Sequence, residues 1–493
     1  MDKKRSIVFI LLWVVISIYA LIHHEIWRDE MRALSIVIEN ASIWNLIADL
    51  KNEGHPILWY LMLKIGYLLL PDPMILKIVS WLIGIGTVVL LFRYSKLPFW
   101  LVLSYAFGQV LLWENTIMCR NYGISSLLMF AFLAFYRKSN LYGILIALFL
   151  LIQTNALSLV VSWLLFLVVI FEMKLIRKDK KWQLLIALFI LCISSLIFYY
   201  TTLPDKASII GNVSNPKNGG FLFAAFKSLL CPNLVFRSIV GDSVIVNILL
   251  AISLSLCFIY RRVYLILFWI ILGVTNFVNT EIYNLFTRHL GVLFSFYLVL
   301  LDIGNVYNRE ANNSIFSKLN RYSKFIVVPV LFIALNVSVI LNIFKDIRLP
   351  ISSNKELSEF IKNHDRYSKS VIIADADFII EGLPYYIDNP IYLIREQKFG
   401  RYIHFTRKNK NELTTNELLN TGALYAAKTG HPTLFVCNQK FNPQGDTLYH
   451  YPCYTQLKIM RYTLSDLTRI KKIKEFYKSY EDENYTLYEL SEN

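Results

Sequence analysis

The sequence contains few cysteines and none of the spacings by which cysteine and histidine bind zinc. Its six cysteines include no Cys-x-x-Cys pair, so a zinc-stabilised domain is not predicted. No glycine-rich phosphate loop follows Asp375 and Asp377 at the end of a predicted strand, so a polar turn is the better interpretation there. No clear internal repeat is present either, which argues against a transporter built from inverted repeats.

Long apolar runs are what the sequence has in excess. Hydrophobic residues make up 56% of the 493 residues, and the mean hydropathy is +0.47. A run of roughly 20 apolar residues crosses a bilayer core as a helix, because in lipid every backbone amide needs a partner within the protein. Such runs lie at 7–21, 184–200, 244–260 and 325–344. The sequence therefore predicts a mainly α polytopic membrane protein with about 10–12 transmembrane helices.

The distribution of basic residues predicts the topology. Lys3, Lys4 and Arg5 precede the first run, which has no small-residue cleavage site after it, so we expect an uncleaved helix with a cytoplasmic amino terminus. Basic clusters between later runs lie at 93–96, 137–138, 174–181, 261–262 and 309–324. This pattern explains the net charge of +15 without a nucleic-acid-binding face, and it places the tail on the extracytoplasmic side. We expect the membrane to be a bacterial inner (plasma) membrane. The number of helices between 57 and 97 stays open. An outer loop at 25–55 and a cytoplasmic cluster at 93–96 require an odd number of crossings, whereas two apolar runs, 57–70 and 74–92, are present. Either one of these runs lies in the interface or the cluster at 93–96 is outside.

Polar and charged residues gather in three short outer segments, at 25–55, 114–120 and 280–288. Asp29 and Glu30 follow the first helix, and Glu53 and His55 precede the next apolar run. The stretches 31–38 and 43–50 between them look amphipathic, as helices that lie in the membrane interface do. The acidic pair is therefore not predicted to be part of a plain hydrophilic connector.

Two arginines of the other outer segments add positive charge at the same depth. Arg120 lies between two apolar runs, and Arg288 with His289 opens a late helix. Such arginines are either functional or anchors for lipid headgroups. A carboxylate such as Asp29 can deprotonate a hydroxyl, and arginines can hold a phosphate leaving group. The combination predicts an enzyme that uses a sugar linked to a lipid phosphate.

At these residues the chain resembles the GT-C glycosyltransferases, in the branch that contains protein O-mannosyltransferases and the bacterial aminoarabinose transferase of lipid A. The resemblance covers about residues 7–300 and is carried by four motifs, at 27–30, 53–60, 120–122 and 288–289. It implies a GT-C fold in which Asp29 is the catalytic base or orients the acceptor, with Glu30 beside it. Glu114 stands six residues before Arg120 where the family has two, so no role is carried over to it.

The same resemblance implies donor contacts by residues of the later motifs. These are Glu53, His55, Arg120, Tyr122, Arg288 and His289. At His55 the family more often has proline or lysine, so the donor contact there is the least similar. The implied activity is transfer of a hexosyl or pentosyl group from a polyprenyl-phosphate donor to an extracytoplasmic lipid, glycan or protein. We predict no required cofactor and no metal site, although Asp29, Glu30 and Glu53 leave a divalent cation open.

Two other functions compete with this one. The first is a membrane transporter or flippase, which would favour polar residues near the middle of the membrane. The second is a noncatalytic envelope assembly protein, in which the outer residues only bind headgroups. The crowding of polar residues at one membrane boundary favours the transferase.

The tail reads as a separate soluble domain. We divide the chain into a transmembrane domain, 1–345, whose first outer loop is catalytic, and an extracytoplasmic α/β domain, 346–493. Strands are predicted at 370–375, 390–394, 432–437 and 485–489, and helices at 353–363, 378–387 and 417–429. This alternation favours a mainly parallel sheet. Cys437 and Cys453 lie in this domain, and a disulfide between them stays open.

Overall fold

The computed structural model of the protein describes residues 3–209, 220–307, 314–441, 444–453 and 456–490. The outer loop near 202–232 and the basic cluster at 309–324 therefore lie partly outside the described residues. The described chain forms a helical part up to Arg348 and a mixed α/β part after it. Each part has its own hydrophobic core.

Helices make up the first part. They are α1 (Lys3–His23), α2 (Arg28–Glu39), α3 (Ile43–Leu50), α4 (Leu58–Leu69), α5 (Ile75–Tyr94), α6 (Phe99–Ala106), α7 (Tyr122–Arg137), α8 (Leu141–Ile152), α9 (Ala156–Glu172), α10 (Lys181–Thr202), α11 (Phe221–Leu230), α12 (Arg237–Val240), α13 (Val244–Ser255), α14 (Arg262–Phe277), α15 (Thr287–Ile303), α16 (Ile315–Tyr322) and α17 (Val328–Arg348). Wider π-helical turns occupy Gln109–Ile117, Val278–Ile282 and Ser323–Val327.

Five helical stretches are long and apolar enough to cross a membrane, judged by length and composition. Among the described residues they are Lys3–His23, Ile75–Tyr94, Lys181–Thr202, Arg262–Ile282 and Ile315–Arg348. A sixth is counted if the bent pair Phe99–Ile117 and Tyr122–Arg137 forms one span. The chain is thus an integral membrane protein. Several shorter apolar helices accompany these spans, and the total of 10–12 stays a prediction.

The two ends of the helical bundle differ in charge and contacts. At one end Asp302 accepts hydrogen bonds from Ser95 Oγ (2.7 Å) and Lys96 N (2.6 Å) and pairs with Arg137. The start of α1 lies at the same end, because Phe9 contacts Phe99 at 5.3 Å between ring centroids. We call this the basic end. It unites the amino terminus with the basic clusters at 93–96 and 137–138, as expected for one side of the membrane.

The segment between 57 and 97 contains one crossing helix, not two. The start of α4 lies at the distal end, opposite the basic end, since Leu58 N donates to Gln153 O (3.3 Å) just after α8. The start of α5 lies there too, because Lys77 Nζ donates to His24 O (2.6 Å) after α1. Both ends of α4 are therefore distal. The helix is an interfacial one, and α5 alone runs to the basic end.

A small residue permits the return between α4 and α5. A Cβ at Gly66 would lie 2.7 Å from Ile75 Cγ1, closer than side-chain packing allows. The chain then turns at Leu70, whose N–H donates to Gly66 O (2.9 Å). Pro71 and Pro73 follow, and neither can continue the helix with a donated hydrogen bond. This turn leaves the apolar face of α4 toward lipid, with Leu68 76% exposed.

The tail contains two sheets and a short set of helices. The strands are β1 (Ile372–Asp375), β2 (Ile391–Leu393), β3 (Lys398–Phe399), β4 (Glu412–Thr414), β5 (Leu434–Cys437), β6 (Thr447–Cys453), β7 (Gln456–Tyr462), β8 (Ile470–Phe476) and β9 (Tyr485–Leu490). The helices are α18 (Asn354–Lys362), a 3₁₀ helix at Asp377–Tyr385, α19 (Thr415–Thr429) and α20 (Leu464–Leu467). The six-stranded sheet has the order β3-β2-β1-β5-β9-β8, and a second sheet has the order β4-β7-β6.

The predicted elements of the tail are present, but the sheet is mixed. Strand β1 pairs in parallel with β2 and β5, while β9 and β3 add antiparallel edges. The parallel arrangement thus holds only at the centre. The hairpin of β6 and β7 was not predicted. Cys437 and Cys453 are buried free thiols and form no disulfide.

The tail packs directly on the first outer loop. The 3₁₀ helix Asp377–Tyr385 lies against α2, and Ile26 N donates to Tyr386 Oη (2.8 Å). Arg28 forms a two-pronged ion pair with Asp482, with N···O distances of 2.7 and 2.8 Å. Tyr402 of the tail is 2% exposed and belongs to the core of the helical part. The tail therefore covers the distal end of the bundle over the loop that carries Asp29.

Candidate active site

A cleft of about 660 Å³ opens between the first outer loop and the tail. The helical part lines it with Arg28, Asp29, Arg32, Ala33, Glu53, His55, Trp59, Tyr60, Arg120 and Asn121. The tail lines it with Phe378, Glu381 and Phe405. Four of the eight residues predicted for the site, Asp29, Glu53, His55 and Arg120, are among these lining residues.

Asp29 and Arg120 form the central ion pair of the cleft. Arg120 Nη1 lies 2.5 Å from Asp29 Oδ2, and the two side chains are 13% and 32% exposed. Burial raises the pKa of Asp29, but the cations of Arg120, Arg288 and Arg28 outweigh it and hold the pKa at about 2. Asp29 is therefore ionised at every pH at which the cell lives.

Glu30 faces away from the cleft and fixes the loop behind Asp29. Its carboxylate accepts hydrogen bonds from Trp27 N (2.8 Å) and Cys119 N (2.6 Å), and it pairs with His24 at 3.1 Å. His24 also bonds Asp346 in α17 at 2.7 Å. Although burial lowers the pKa of His24, the carboxylates of Glu30 and Asp346 raise it to about 10. The resulting imidazolium ties α1, α2 and α17 together and directs Asp29 to the other side.

Arg120 is placed by the end of a π-helical segment. Residues Gln109–Ile117 form wide turns, and α7 begins at Tyr122, so Arg120 sits in the break between two helices. A Cβ at Gly123 would lie 2.4 Å from Asn115 O, so only glycine permits this close approach. π-helical interruptions of a regular helix are rare, and they are frequently found at functional sites.

Tyr122, Arg288 and His289 form a cluster beside Arg120, although none of the three lines the cleft itself. The rings of Tyr122 and His289 meet edge to face at 5.1 Å, and Arg120 Cζ lies 6.0 Å from the ring of Tyr122. His289 Nδ1 accepts a hydrogen bond from Phe286 N (2.9 Å), which fixes the start of α15. Arg288 Cζ lies 4.7 Å from the ring of Phe286. Its buried Nε has no hydrogen-bond partner among the described residues.

His55 and Glu53 also line the cleft. Burial lowers the pKa of His55, the cation of Arg120 lowers it further, and the value is about 4. The ring is thus neutral at pH 7 and able to accept or donate one hydrogen bond. Glu53 is held by Arg32, whose Nε and Nη2 donate to its two oxygens at 2.8 and 2.5 Å.

Arg32 joins the outer loop to the tail through a second carboxylate. Its Nη1 donates to Glu381 Oε1 (2.5 Å), and its Nη2 donates to Ile403 O (2.8 Å). Its Cζ lies 3.9 Å from the ring of Phe405, a cation–π contact. The Arg32, Glu53 and Glu381 side chains are 8%, 6% and 4% exposed. The tail therefore completes the cleft through a desolvated charge cluster.

Several lining residues were missed from the sequence. Glu381 and Phe378 lie in a stretch that reads only as a short helix, and Phe405 lies in a loop between strands. Because these residues are far from Asp29 in the sequence, nothing in the sequence indicates that they line the same cleft. Arg32 did give a signal, because it is a cation on an otherwise apolar, amphipathic segment, where charge is unexpected.

The acidic residues in and beside the cleft have basic partners. Among the described residues, no group of three or more His, Cys, Asp or Glu side chains is placed to hold a metal ion. Asp29 pairs with Arg120, Glu53 with Arg32 and Glu30 with His24. Each carboxylate thus already has a cation of the chain beside it.

No family model matches this chain, and no curated protein matches it. Two solved structures of ArnT from Cupriavidus metallidurans are similar to it. The crystal structure bound to undecaprenyl phosphate has 12% sequence identity and a TM-score of 0.41, and the alignment covers 94% of this chain and 98% of that chain. The crystal structure in the apo state has 11% identity and a TM-score of 0.41, with coverage of 94% and 99%.

The charge cluster at Glu381 predicts a pH dependence of tail docking. Burial raises the pKa of Glu381 to about 7, because Arg32 and Ile403 N offset the cost of burial only in part. Between its ordinary pKa of about 4.5 and pH 7, the docked state keeps a proton that the undocked state releases. Docking stability should therefore fall as pH rises through this window. We expect the Ile403 amide, which donates to Glu381 (2.8 Å), to exchange faster at pH 8 than at pH 5.5 after correction for intrinsic rates.

Two variants make this measurement specific. Glu381→Gln should flatten the pH dependence, since it removes the titrating group. Glu412→Gln, at a carboxylate of the same domain that is 57% exposed, should leave the dependence as in the wild type. Parallel slopes for the wild type and Glu381→Gln would show that another group controls docking.

Proposed function

We propose that this protein transfers a sugar from a polyprenyl-phosphate donor to an acceptor hydroxyl bound in the cleft. The observation that carries the proposal is the ion pair of Asp29 and Arg120 in a cleft at the distal end of a membrane bundle. A carboxylate and two arginines at this depth match the charges of the reaction, which moves a proton from the acceptor and leaves negative charge on a lipid phosphate.

The proposed reaction is a single displacement. The acceptor oxygen attacks the anomeric carbon, and the bond from that carbon to the phosphate oxygen breaks. The electron pair leaves with the polyprenyl phosphate, and the acceptor proton passes to Asp29. No side chain is assigned as a covalent nucleophile, so the configuration at the anomeric carbon inverts.

Arg120 and Arg288 stabilise the leaving group in this proposal. Arg288 has a buried Nε without a partner among the described residues, so it has a hydrogen bond to offer a phosphate. Arg120 is occupied by Asp29, and a bound phosphate would compete for that guanidinium. The competition frees Asp29 to accept the acceptor proton only once the donor is in place, which links base activation to donor binding.

The remaining predicted residues shape the donor side. Tyr122 and His289 form an aromatic pair beside Arg120, and aromatic rings of this kind are suited to packing against a sugar ring. His55 offers a neutral ring nitrogen to a hydroxyl, and Glu53 orients Arg32. Glu30 supports Asp29 from behind.

The proposal places the reaction on the extracytoplasmic side of a bacterial inner membrane. The basic end then faces the cytoplasm, as the positive-inside rule predicts. In this proposal the donor is a hexosyl or a pentosyl lipid, and the acceptor is a lipid, a glycan or a protein. The noncatalytic alternative differs in requiring no chemistry at Asp29.

Mass spectrometry of envelope lipids, glycans and glycoproteins tests the proposal directly. We would compare the wild type, a deletion strain, and the deletion strain carrying Asp29→Asn at normal expression. We expect both altered strains to lose the same sugar-sized mass from one acceptor. Full restoration of that mass by Asp29→Asn would contradict the role of Asp29 as base and support an assembly or transport function.

Removal of divalent metal should leave transfer unchanged. The cations beside the cleft carboxylates are arginines and His24, which chelators do not remove. We expect purified enzyme treated with EDTA and dialysed to keep its initial rate. A loss of rate that Mg²⁺ or Mn²⁺ restores would contradict this prediction.

A further inference from the structure

A second cleft lies at the basic end, away from the candidate active site. Its volume is about 1250 Å³, and its lining comes from four parts of the chain. These are Lys96 between α5 and α6, the junction of α7 and α8, the end of α9, and the turn that leads into α10. The cleft touches none of the residues discussed above for transfer.

The lining of this cleft is strongly basic. It contains Lys96, Arg137, Lys174, Arg177 and Lys180, against one carboxylate, Glu172. Glu172 already accepts a hydrogen bond from Tyr264 Oη (2.6 Å). A concave site lined by one sign of charge focuses the potential and attracts the opposite charge.

Neighbouring acidic groups neutralise only part of this charge. Asp302 pairs with Arg137 but leaves its buried Nε without a partner among the described residues. Asp179 pairs with Arg177 at 3.4 Å, with both side chains more than 60% exposed, so this pair is weak. Lys180 Nζ donates to Met173 O (3.0 Å), while Lys96 and Lys174 are exposed. The cleft retains an excess of positive charge after these contacts.

Exposed apolar side chains surround the same cations. Ile176, in the turn that carries Arg177 and Lys180, and Trp182, at the start of α10, are 70% and 78% exposed. Tyr142 and Phe171, on the helices beside the cleft, are 82% and 53% exposed. Such a rim would be costly in water, but it suits the boundary between headgroups and acyl chains, where aromatic residues are enriched. A small free anion would gain nothing from it.

We propose that the cleft at the basic end binds the headgroup of an anionic phospholipid. The cations contact the phosphate, and the acyl chains lie over the rim of Ile176, Trp182 and Tyr142. Basic pockets between transmembrane helices bind anionic headgroups in this manner. The basic residues Arg262, Lys318 and Arg321 are also exposed but do not line this cleft. Substitutions at these residues therefore test general attraction to a charged leaflet, whereas substitutions in the cleft test binding in the cleft.

Native mass spectrometry of the full-length protein tests the site. The purified protein would be titrated with dioleoyl phosphatidylglycerol or with dioleoyl phosphatidylcholine. We expect the wild type to retain phosphatidylglycerol in preference. The triple variant Lys174→Gln, Arg177→Gln, Lys180→Gln should bind it about tenfold more weakly or worse, since each basic residue near an anionic lipid contributes substantially.

The matched control carries Arg262→Gln, Lys318→Gln and Arg321→Gln, which removes the same charge outside the cleft. It should bind as the wild type does, and size-exclusion chromatography would establish that both variants are folded. If the triple variant does not fold, Lys174→Gln alone is titrated, with Lys318→Gln as its control. Equal losses in cleft variant and control, or equal binding of the two lipids, would overturn the proposal.

A second variant separates a lipid from a free anion. Ile176→Ser with Trp182→Ser keeps every cation and removes the apolar rim, so it should weaken phosphatidylglycerol binding. Inorganic phosphate added in excess should not displace the lipid from the wild type. Displacement by phosphate, together with unchanged binding by the rim variant, would identify a free-phosphate site instead and overturn the lipid assignment.

Discussion

Replacement of Asp29 by asparagine should reduce the rate of transfer by about 10²–10⁴-fold, the usual contribution of a general base. Asparagine keeps the shape of the side chain and can accept a hydrogen bond from Arg120 through its amide oxygen, but it cannot take the acceptor proton. The measured quantity is kcat for purified enzyme with a polyprenyl-phosphate sugar. Since donor contacts remain, KM for the donor should change far less than kcat.

Asp388→Asn is the control for this experiment. Asp388 is a fully exposed carboxylate of the tail, so its variant removes one negative charge at the same end of the molecule without entering the cleft. It should retain wild-type kcat. An Asp29→Asn enzyme with a wild-type kcat would show that the base lies elsewhere and that the ion pair with Arg120 has a structural role.

The low pKa of Asp29 gives this experiment a further readout. Because the pKa is about 2, the carboxylate stays ionised at pH 5, and its protonation should not produce an acid limb in kcat/KM between pH 5 and 7. An acid limb in that range that disappears in Asp29→Asn would contradict the assignment of a depressed pKa.

Replacement of Arg120 by glutamine should cost about 10²–10³-fold in kcat/KM, the effect of removing one donor that stabilises developing negative charge. The loss should appear in both KM for the donor and kcat, because the phosphate is bound in the ground state and becomes more negative as the bond breaks. Asp29 would lose a cation at the same time, but Arg288 and Arg28 remain, so it stays ionised at pH 7. The loss therefore reports the phosphate contact.

Two further variants sharpen the assignment of Arg120. Arg120→Lys keeps the charge but not the planar fork that binds two oxygens, so it should fall between the wild type and the glutamine variant. Arg407→Gln, at an exposed arginine of the tail, should behave as the wild type. Equal activity of Arg120→Gln and Arg407→Gln would remove Arg120 from the donor site.

The secondary structure of the tail was predictable because its central strands are short, apolar and buried. Residues 370–375 and 432–437 read as buried strands and form β1 and β5. The hairpin of β6 and β7 was missed because its strands are half exposed and their apolar residues are interrupted by His450, Lys458 and Arg461. A strand of this kind is stabilised by its pairing, which a single segment does not reveal.

In the bundle, apolar length left one ambiguity. The runs that became α4 and α5 have similar hydropathy, and only the contacts of Leu58 and Lys77 show that α4 starts and ends at the distal end. Hydropathy measures whether a helix is compatible with lipid. It does not measure the direction in which the helix runs.

The sequence by itself determined that the chain enters a membrane, that basic residues gather at one end, and that carboxylates and arginines lie at the other. Because burial of unpaired charge is costly, charged residues lie between the apolar runs, and their positions can be read from the sequence alone. Only the tertiary structure decided which carboxylate faces the cleft. Glu30 pairs with His24 and accepts hydrogen bonds from two backbone amides. Asp29, one residue away, forms an ion pair with Arg120. It also decided that Glu381, more than 300 residues from Asp29 in sequence, closes the same cleft, because contacts between distant segments depend on the packing of the whole chain.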